Sequence, residues 1–248
     1  MSSFVVGIPV RYASERLPGK PLRSIGGKPM LQHVYQRALE SAADEVIVAT
    51  DDGRIAEAAE KFGAKVCMTS GVHQSGTDRL AEVARILGWP GDRVVVNLQG
   101  DEPLMPPELI SQCAALLASG DADLATLASP FESQVEFADS NVVKVITDAS
   151  GHAIYFSRAA IPYSRSASTR QLAMQSALRH HGIYAYRVDV LQRIVQTTRS
   201  PLEICEHLEQ LRALAMGLRI RVGQPSVRPG PGVDTEDDLQ RVTALLGF

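Results

Sequence analysis

The chain has 248 residues, 45% of them hydrophobic, and a formal net charge of −3. This length and composition predict a sizeable core, and the charge argues against a general affinity for nucleic acid, so any basic site must be local. The cysteines lack a CxxC spacing, which argues against a disulfide framework or structural zinc and favours a reducing compartment. No apolar run approaches the roughly 20 residues of a membrane span, and the amino terminus has no basic region, so we expect a cytoplasmic protein.

Strand and helix patterns alternate through the first half of the chain. Short apolar runs typical of buried strands lie at 4–8, 45–50, 65–68, 93–98 and 124–128. Helical patterns lie between them at 30–41, 55–62, 76–87 and 107–118. This alternation predicts βαβ units with right-handed crossovers, and therefore a Rossmann-like α/β fold whose mostly parallel sheet is flanked by helices.

The pattern changes after Pro130. Strand-like runs at 142–147 and 153–157 flank Asp148-Ala149-Ser150-Gly151, which predicts a β-hairpin. Residues 164–176 are polar without clear periodicity and predict a mobile loop. Strands at 181–187 and 219–222 and helices at 190–196, 202–216 and 236–246 complete the chain. We predict one domain over residues 1–248, with a hairpin insertion at about 142–158.

A basic loop follows the first strand, which Pro9 ends because proline cannot donate to the sheet. The loop carries Arg11, Arg16 and Lys20 among prolines and a glycine. Because open parallel sheets bind ligands at the carboxyl ends of their strands, we expect these cations to form an anion site. The alternative is a solvated basic loop. A nicotinamide-binding G-x-G-x-x-G and a kinase-type G-x-x-x-x-G-K-[ST] are both absent from this position, which argues against those two classes.

Two aspartates are candidate metal ligands. Asp101 follows the predicted strand at 93–98 and would point into the same crevice, and Asp234 precedes the last helix. Mg²⁺ prefers oxygen ligands, commonly one or two carboxylates completed by phosphates and water. The alternatives are an acidic turn residue for Asp101 and a helix-start acid for Asp234. The segment 74–79, QSGTDR, also precedes a helix, where Ser75 or Thr77 could simply cap it.

Several of these segments resemble the 3-deoxy-manno-octulosonate cytidylyltransferases, or CMP-Kdo synthetases. The similar motifs are IPVRYASERLPGKPL at 8–22, QSGTDR at 74–79, GDEP at 100–103 and GVDT at 232–235. These enzymes couple the sugar acid Kdo to CMP from CTP and release pyrophosphate, a step of lipopolysaccharide biosynthesis. The resemblance implies a magnesium-dependent nucleotidyltransferase, a homodimer formed through the hairpin, and CTP and Kdo as substrates. The 8-amino analogue of Kdo or another ulosonic acid is the alternative acceptor.

The resemblance also implies a role for particular residues. Arg11, Arg16 and Lys20 would hold the triphosphate, with Arg11 and Lys20 in catalysis, while Asp101 and Asp234 would hold magnesium. Ser75, Gly76, Thr77 and Arg79 would grip the nucleotide base. The implied sugar-acid contacts are Gln99, Arg158, His180, His181, Tyr184 and Glu209, with His180 a better match than His181. Arg158 suits a carboxylate because a guanidinium pairs with it bidentately. Val10 and Glu15 depart from the family loop.

Two rival functions stay open on the sequence. A sugar-transferring enzyme of the nucleotide-binding kind would use Asp51 and Asp52 as metal ligands, although the chain has no D-x-D there. A non-catalytic nucleotide-binding module would bind CTP without turnover.

Overall fold

The computed structural model describes residues 3–14, 16–118 and 120–248, so Glu15 lies outside the described residues. The strands are β1 Phe4–Pro9, β2 Ser24–Ile25, β3 Lys28–Pro29, β4 Glu45–Thr50, β5 Lys65–Met68, β6 Val94–Asn97, β7 Leu124–Pro130, β8 Lys144–Thr147, β9 Ala153–Ser157, β10 Leu178–Arg187 and β11 Ile220–Gly223. The helices are α1 Met30–Leu39, α2 Gly53–Lys61, α3 Gly76–Ile86, α4 Pro107–Ala115, α5 Gln134–Ala138, α6 Arg170–Gln175, α7 Val188–Gln196, α8 Pro201–Glu206, α9 Gln210–Ala215 and α10 Glu236–Leu245.

Nine of the described strands form one mixed sheet. Its main path runs β11-β7-β10-β6-β1-β4-β5, and β8 and β9 extend it beside β10. The pairs β1/β4, β1/β6, β4/β5 and β7/β11 are parallel, whereas β10 runs antiparallel to both β6 and β7. The predicted mostly parallel α/β sheet is therefore confirmed, with one antiparallel strand inside it.

The core lies on both faces of this sheet. One buried cluster includes Val6, Ile8 and Val48 and packs under α1, α2 and α4. The opposite face presents Val5 and Ile47, which pack with buried residues of α3, α7 and α9. Alternate residues of a strand point to opposite faces, so near-continuous apolar strands such as β1 require helices on both sides.

The predicted hairpin is present as β8 and β9, which pair antiparallel. It is joined to the main sheet, because Leu178 and Arg179 of β10 pair with Val145 and Lys144 of β8. Val145 and Phe156 are fully buried, so one face of the hairpin belongs to the core.

Two predictions for the second half of the chain were wrong. The supposed loop at 164–176 contains a 3-10 turn and α6, because Met174 packs in an apolar cluster with Phe131 and Phe137. The single helix predicted at 202–216 is two helices, α8 and α9. They are separated at His207, whose positive φ of 52° lies in the left-handed region that ends a helix.

A third cluster fixes the basic loop against the carboxyl-terminal helix. Leu17 of the loop is buried with Ile25 and Met30, and Val233, Leu239 and Val242 pack on them from the end of the chain. Segments more than 200 residues apart in sequence therefore meet beside β1. None of the helices in the described ranges combines the length and apolar character needed to cross a membrane.

Candidate active site

The basic loop has a defined backbone. Val10 donates its amide to the carbonyl of Ala49 at 2.9 Å, which continues the β1/β4 pairing into the loop. Gly19 has a φ of 66°, a conformation that other residues adopt at a cost, and it begins the 3-10 turn Lys20–Leu22. The loop also touches the segment after β6, since a Cβ at Gly100 would overlap Cγ1 of Val10. Glycine at position 100 thus permits the close approach of the two strand ends.

Lys20 joins the two predicted metal ligands. Its Nζ donates to Asp101 Oδ2 at 2.6 Å, to Asp234 Oδ1 at 3.1 Å and to the carbonyl of Val233 at 3.0 Å. The backbone holds the aspartates together as well, because the amide of Val233 donates to the carbonyl of Asp101 at 2.9 Å. Arg16 reaches Asp234 Oδ1 at 3.0 Å from the loop side. Two carboxylates that are distant in sequence therefore share one cation.

The donor set at this point fits magnesium. Carboxylate oxygens of Asp101 and Asp234 lie close enough together to contact the same ammonium, that of Lys20, and hard oxygen ligands are those that Mg²⁺ takes. Within the described residues, no group of three or more His, Cys, Asp or Glu side chains is arranged for a metal. A magnesium ion here would therefore take its remaining ligands from phosphates and water.

The loop and the two aspartates line a cleft of about 800 Å³, which we call the first cavity. Its lining includes Arg11, Arg16, Lys20, Ser75, Gly76, Arg79, Gln99, Asp101 and Asp234. The structure thus brings all three loop cations and both aspartates to one cavity, together with most of the QSGTDR segment. A second cavity, of about 450 Å³, shares Gln99 with the first. Its lining includes Thr77, Arg158, His180, Tyr184, His207, Glu209 and Gln210.

The QSGTDR segment is tied to Glu209 by its hydroxyls. Ser75 Oγ donates to Glu209 Oε1 at 2.6 Å, and Thr77 Oγ1 donates to Oε2 at 2.7 Å. Ser75 also accepts from the amide of Asp78 at 3.1 Å and so caps α3, as the capping interpretation predicts. Burial raises the pKa of Glu209, although the two hydroxyls oppose the shift. Glu209 therefore links the helix start at the first cavity to the α8–α9 corner at the second.

Arg79 has partners of its own inside the protein. It is 4% exposed, its Nη1 donates to Thr69 Oγ1 at 2.5 Å, and its Nη2 contacts Asp51 Oδ1 at 3.0 Å. Asp52 caps α2 and pairs with Arg54 at 2.6 Å. Neither carboxylate of the rival metal site lines the first or the second cavity, whereas Asp101 and Asp234 both line the first, which argues against the rival site.

Arg158 is held at the edge of the second cavity. Its amide donates to Glu206 Oε2 at 2.9 Å and its Nε to the carbonyl of Glu206 at 2.8 Å, while Nη1 reaches the carbonyl of Ser140 at 3.3 Å. Among the described residues, none accepts a hydrogen bond from Nη2. That end of the guanidinium is available to an anion in the cavity.

The two histidines of β10 point to different surroundings. His180 lines the second cavity, where its Nε2 lies 3.1 Å from Thr126 Oγ1. His181 Nε2 instead lies 2.9 Å from Ser129 Oγ, and His181 is not among the residues lining either cavity. Adjacent strand residues face opposite ways, so one sugar site cannot easily use both. Burial lowers the pKa of His180 to about 3 and that of His181 to about 4, so both are neutral near pH 7.

Tyr184 lines the same cavity as His180, and their ring centroids are 5.3 Å apart. Burial raises the pKa of its phenol well above the ordinary value, so the hydroxyl remains a donor.

Other cavity residues were missed by the sequence prediction. His73 lines the first cavity and contacts Glu82 Oε2 at 2.5 Å. Its position directly before QSGTDR is a signal that could have identified it. His207 and Gln210 line the second cavity from the α8–α9 corner. The sequence predicts an unbroken helix there, so it gives no signal for His207.

The sequence is similar to those of known cytidylyltransferases. The family model described as cytidylyltransferase matches residues 5–220. A protein of Aeromonas hydrophila subsp. hydrophila named 3-deoxy-manno-octulosonate cytidylyltransferase is 54% identical over 250 residues, covering 98% of this chain and 99% of its own. A protein of the same name from Thioalkalivibrio sulfidiphilus is 52% identical over 247 residues, covering 98% of this chain and 99% of its own.

Solved structures show the same relationship. The structure of a CMP:2-keto-3-deoxy-manno-octonic acid synthetase complexed with CTP superposes with a TM-score of 0.90 at 45% identity, covering 99% of both chains. A 4-diphosphocytidyl-2C-methyl-D-erythritol synthase superposes with a TM-score of 0.64 at 16% identity, covering 98% of both chains, and shows the shared fold alone.

Proposed function

The chain belongs to the 3-deoxy-manno-octulosonate cytidylyltransferase family, and on that premise we propose that it transfers CMP from CTP to Kdo. The oxygen of the anomeric hydroxyl of Kdo bonds to the α-phosphorus of CTP, and its proton passes to water. The bond from the α-phosphorus to the oxygen that bridges to the β-phosphate breaks, and pyrophosphate leaves. The product, CMP-Kdo, would serve lipopolysaccharide biosynthesis in the cytoplasm.

The observation that carries this proposal is the pair of adjoining cavities that meet at Gln99. One is lined by three cations and two carboxylates, and the other by a guanidinium, a phenol and a neutral imidazole. A transfer between two bound substrates needs two neighbouring sites whose reacting atoms are held in contact. A module that only binds a nucleotide has no use for the second cavity.

The first cavity suits a nucleoside triphosphate. Arg11, Arg16 and Lys20 present positive charge where the negative charge of the departing pyrophosphate would grow. Asp101 and Asp234 would hold Mg²⁺, which when bound supplies neutralisation of phosphate charge and activation of the attacking hydroxyl. Arg79, engaged with Asp51 and Thr69, would shape the wall of the base site rather than contribute free charge.

The second cavity suits a sugar acid. A carboxylate arriving beside a triphosphate would be repelled unless it met its own cation, and Arg158 supplies one outside the basic loop. Gln99, His180, Tyr184 and Glu209 offer polar atoms to hydroxyl groups around it. We expect His181 to contribute to the packing of β10 rather than to the sugar.

Pyrophosphate release from CTP and Mg²⁺ tests the proposal across a small acceptor panel. The panel contains Kdo, its 8-amino analogue and a third ulosonic acid, and a reaction without acceptor is the control. We expect release with Kdo to be fastest and release without acceptor to be negligible. CTP binding by calorimetry without turnover on any acceptor would contradict the proposal and favour a binding module, whereas fastest turnover on the 8-amino sugar would move the acceptor assignment to that analogue.

A further inference from the structure

Lys144 is a lysine buried without a carboxylate partner among the described residues. It lies on β8, is 0% exposed, and its Nζ donates to the backbone carbonyls of Asp139, Val142 and Arg158 at 2.7, 2.6 and 2.6 Å. An ammonium has three donors, so all of them are used on the main chain. A charged group in such a place is tolerated only when its hydrogen bonds are satisfied. Lys144 therefore acts as a structural tie.

The carbonyl that Lys144 holds belongs to the residue that faces the second cavity. Arg158 is fixed from its other side by Glu206, which accepts from the Arg158 amide and from its Nε. Ser157 Oγ donates to Glu206 Oε1 at 2.6 Å, which adds a third attachment on that side. Arg158, directly after β9, is thus held between the buried ammonium of Lys144 and the carboxylate of Glu206. Neither Lys144 nor Glu206 is among the residues lining the two cavities.

Segment 139–142 is held by the same ammonium. Lys144 binds its two carbonyls at Asp139 and Val142, and the carbonyl of Ser140 between them accepts from Arg158 Nη1 at 3.3 Å. The residue between Val142 and Lys144, Val143, lines the second cavity. The ammonium of Lys144 therefore fixes the main chain at Arg158. It also fixes the segment whose Ser140 carbonyl orients the Arg158 guanidinium.

We propose that Lys144 is a positioning residue for acceptor binding, which acts through Arg158. It fixes the backbone from which the guanidinium enters the second cavity and the segment against which the guanidinium rests. The inference depends on the proposed function, because the direction of Arg158 matters only if Arg158 receives the carboxylate of the sugar acid. Sites held within a fraction of an ångström by such supporting contacts bind and react better than loosely held ones.

The test is a double-mutant cycle of Lys144→Met and Arg158→Ala, because methionine keeps an apolar side chain and removes the donors. We expect Lys144→Met to raise the KM for Kdo about tenfold, within the coupling range for residues in one network. In the Arg158→Ala background the same change should alter that KM by less than about twofold. The kcat at saturating Kdo and the calorimetric Kd for CTP should stay within about twofold of wild type in Lys144→Met.

Arg187→Met is the matched control. Arg187 also binds two backbone carbonyls, those of Ala122 and Leu117, at 3.4 and 3.3 Å, and is not among the residues lining either cavity. It should lower thermal stability without changing the KM for Kdo. If Lys144→Met fails to fold, Lys144→Gln keeps an amide donor and should give a smaller rise in KM that again disappears in the Arg158→Ala background.

Several outcomes would overturn the inference. If the changes in KM for Kdo caused by Lys144→Met and Arg158→Ala add independently, Lys144 has a general structural role. The same follows if Lys144→Met weakens CTP binding as much as it raises the KM for Kdo. An unchanged KM for Kdo in Arg158→Ala would have the same consequence. These results are distinct from failure of the proposed function, in which the wild-type protein would release no pyrophosphate with any sugar acid.

Discussion

The charge arrangement around Lys20 is the residue-scale feature on which turnover should depend most directly. Burial alone would lower the pKa of Lys20, but the carboxylates of Asp101 and Asp234 outweigh it and raise the pKa above the ordinary value. The ammonium is therefore charged at any physiological pH. The two carboxylates, in turn, both contact this ammonium, so their oxygens lie near each other, as the proposed two-aspartate magnesium site needs.

Asp101→Asn and Asp234→Asn should each lower kcat by at least about a hundredfold while leaving the fold intact. Both remove a charged oxygen from the proposed magnesium site, and catalysis by charge stabilisation loses about 2.7–4 kcal/mol when one contributing group is lost. Initial rates over a magnesium titration, with circular dichroism to check the fold, measure the effect.

The matched control for these variants is Asp237→Asn, a change of the same kind at an exposed position on α10. It should leave the rate unchanged at every magnesium concentration. Near-normal rates for either Asp101→Asn or Asp234→Asn at ordinary magnesium would remove the two-aspartate site from the mechanism.

At the scale of elements, β10 carries two histidines whose protonation changes the stability of the folded protein. His180 and His181 are held neutral by burial, with folded-state pKa values of about 3 and 4. The charge of Arg179 lowers the pKa of His181 further, and Glu136 opposes that effect. An unfolded histidine titrates near pH 6.5. Between that pH and the depressed values, the unfolded chain binds protons that the folded chain does not, so stability falls as pH falls.

His180→Gln and His181→Gln should each flatten this dependence. Each variant lacks one group that binds a proton in the unfolded chain but not in the folded one. The decline in unfolding free energy below about pH 6 should therefore become shallower by up to about 1.4 kcal/mol per pH unit. Urea unfolding of wild type and variants between about pH 7 and 5 measures the slopes. Above about pH 8 ordinary histidines are neutral, and the slopes should coincide there. Equal slopes at acidic pH would mean that the histidines are protonated in the folded protein.

The elements also show how far the sequence predicts the fold. The strands β1, β4 and β6 are predictable because apolar, β-branched runs bounded by prolines, glycines and acids leave little alternative. The direction of β10 is not, because it depends on pairing with β6 and β7, which are distant in sequence. Residues 170–175 form a helix despite their polar composition because Met174 finds apolar partners in Phe131 and Phe137.

The functional site, like the fold, is only partly predictable from the sequence. The loop cations and the two aspartates are candidates by residue type and position, whereas Arg158 is singled out by the family resemblance and suits a carboxylate chemically. Lys144 and Glu206 give no such signal, since their partners are largely backbone groups of neighbouring segments. The separation of His180 from His181 follows only when the strand's register is known.

At the scale of the whole molecule, apolar side chains remain exposed beside the hairpin. Ile154 of β9 is 59% exposed, and Leu202 and Ile204 of α8 are 45% and 56% exposed. The two elements are neighbours, because Ser157 at the end of β9 contacts Glu206 at the end of α8. Exposed apolar side chains on neighbouring elements commonly mark an interface between protein molecules. A two-fold axis would let the same surface meet its own copy.

We therefore predict that the protein is a homodimer through this surface and that Ile154→Arg weakens it. A charge at a self-complementary contact meets its own copy and must be desolvated, so the variant should shift toward monomer. Light scattering at micromolar concentration should give twice the 26.8 kDa chain mass for wild type and a lower mass for Ile154→Arg. The control, Leu245→Arg, changes a 61% exposed residue on α10 and should remain dimeric. A wild-type mass of one chain would contradict the dimer, and an unaffected dimer in Ile154→Arg would move the interface away from the hairpin.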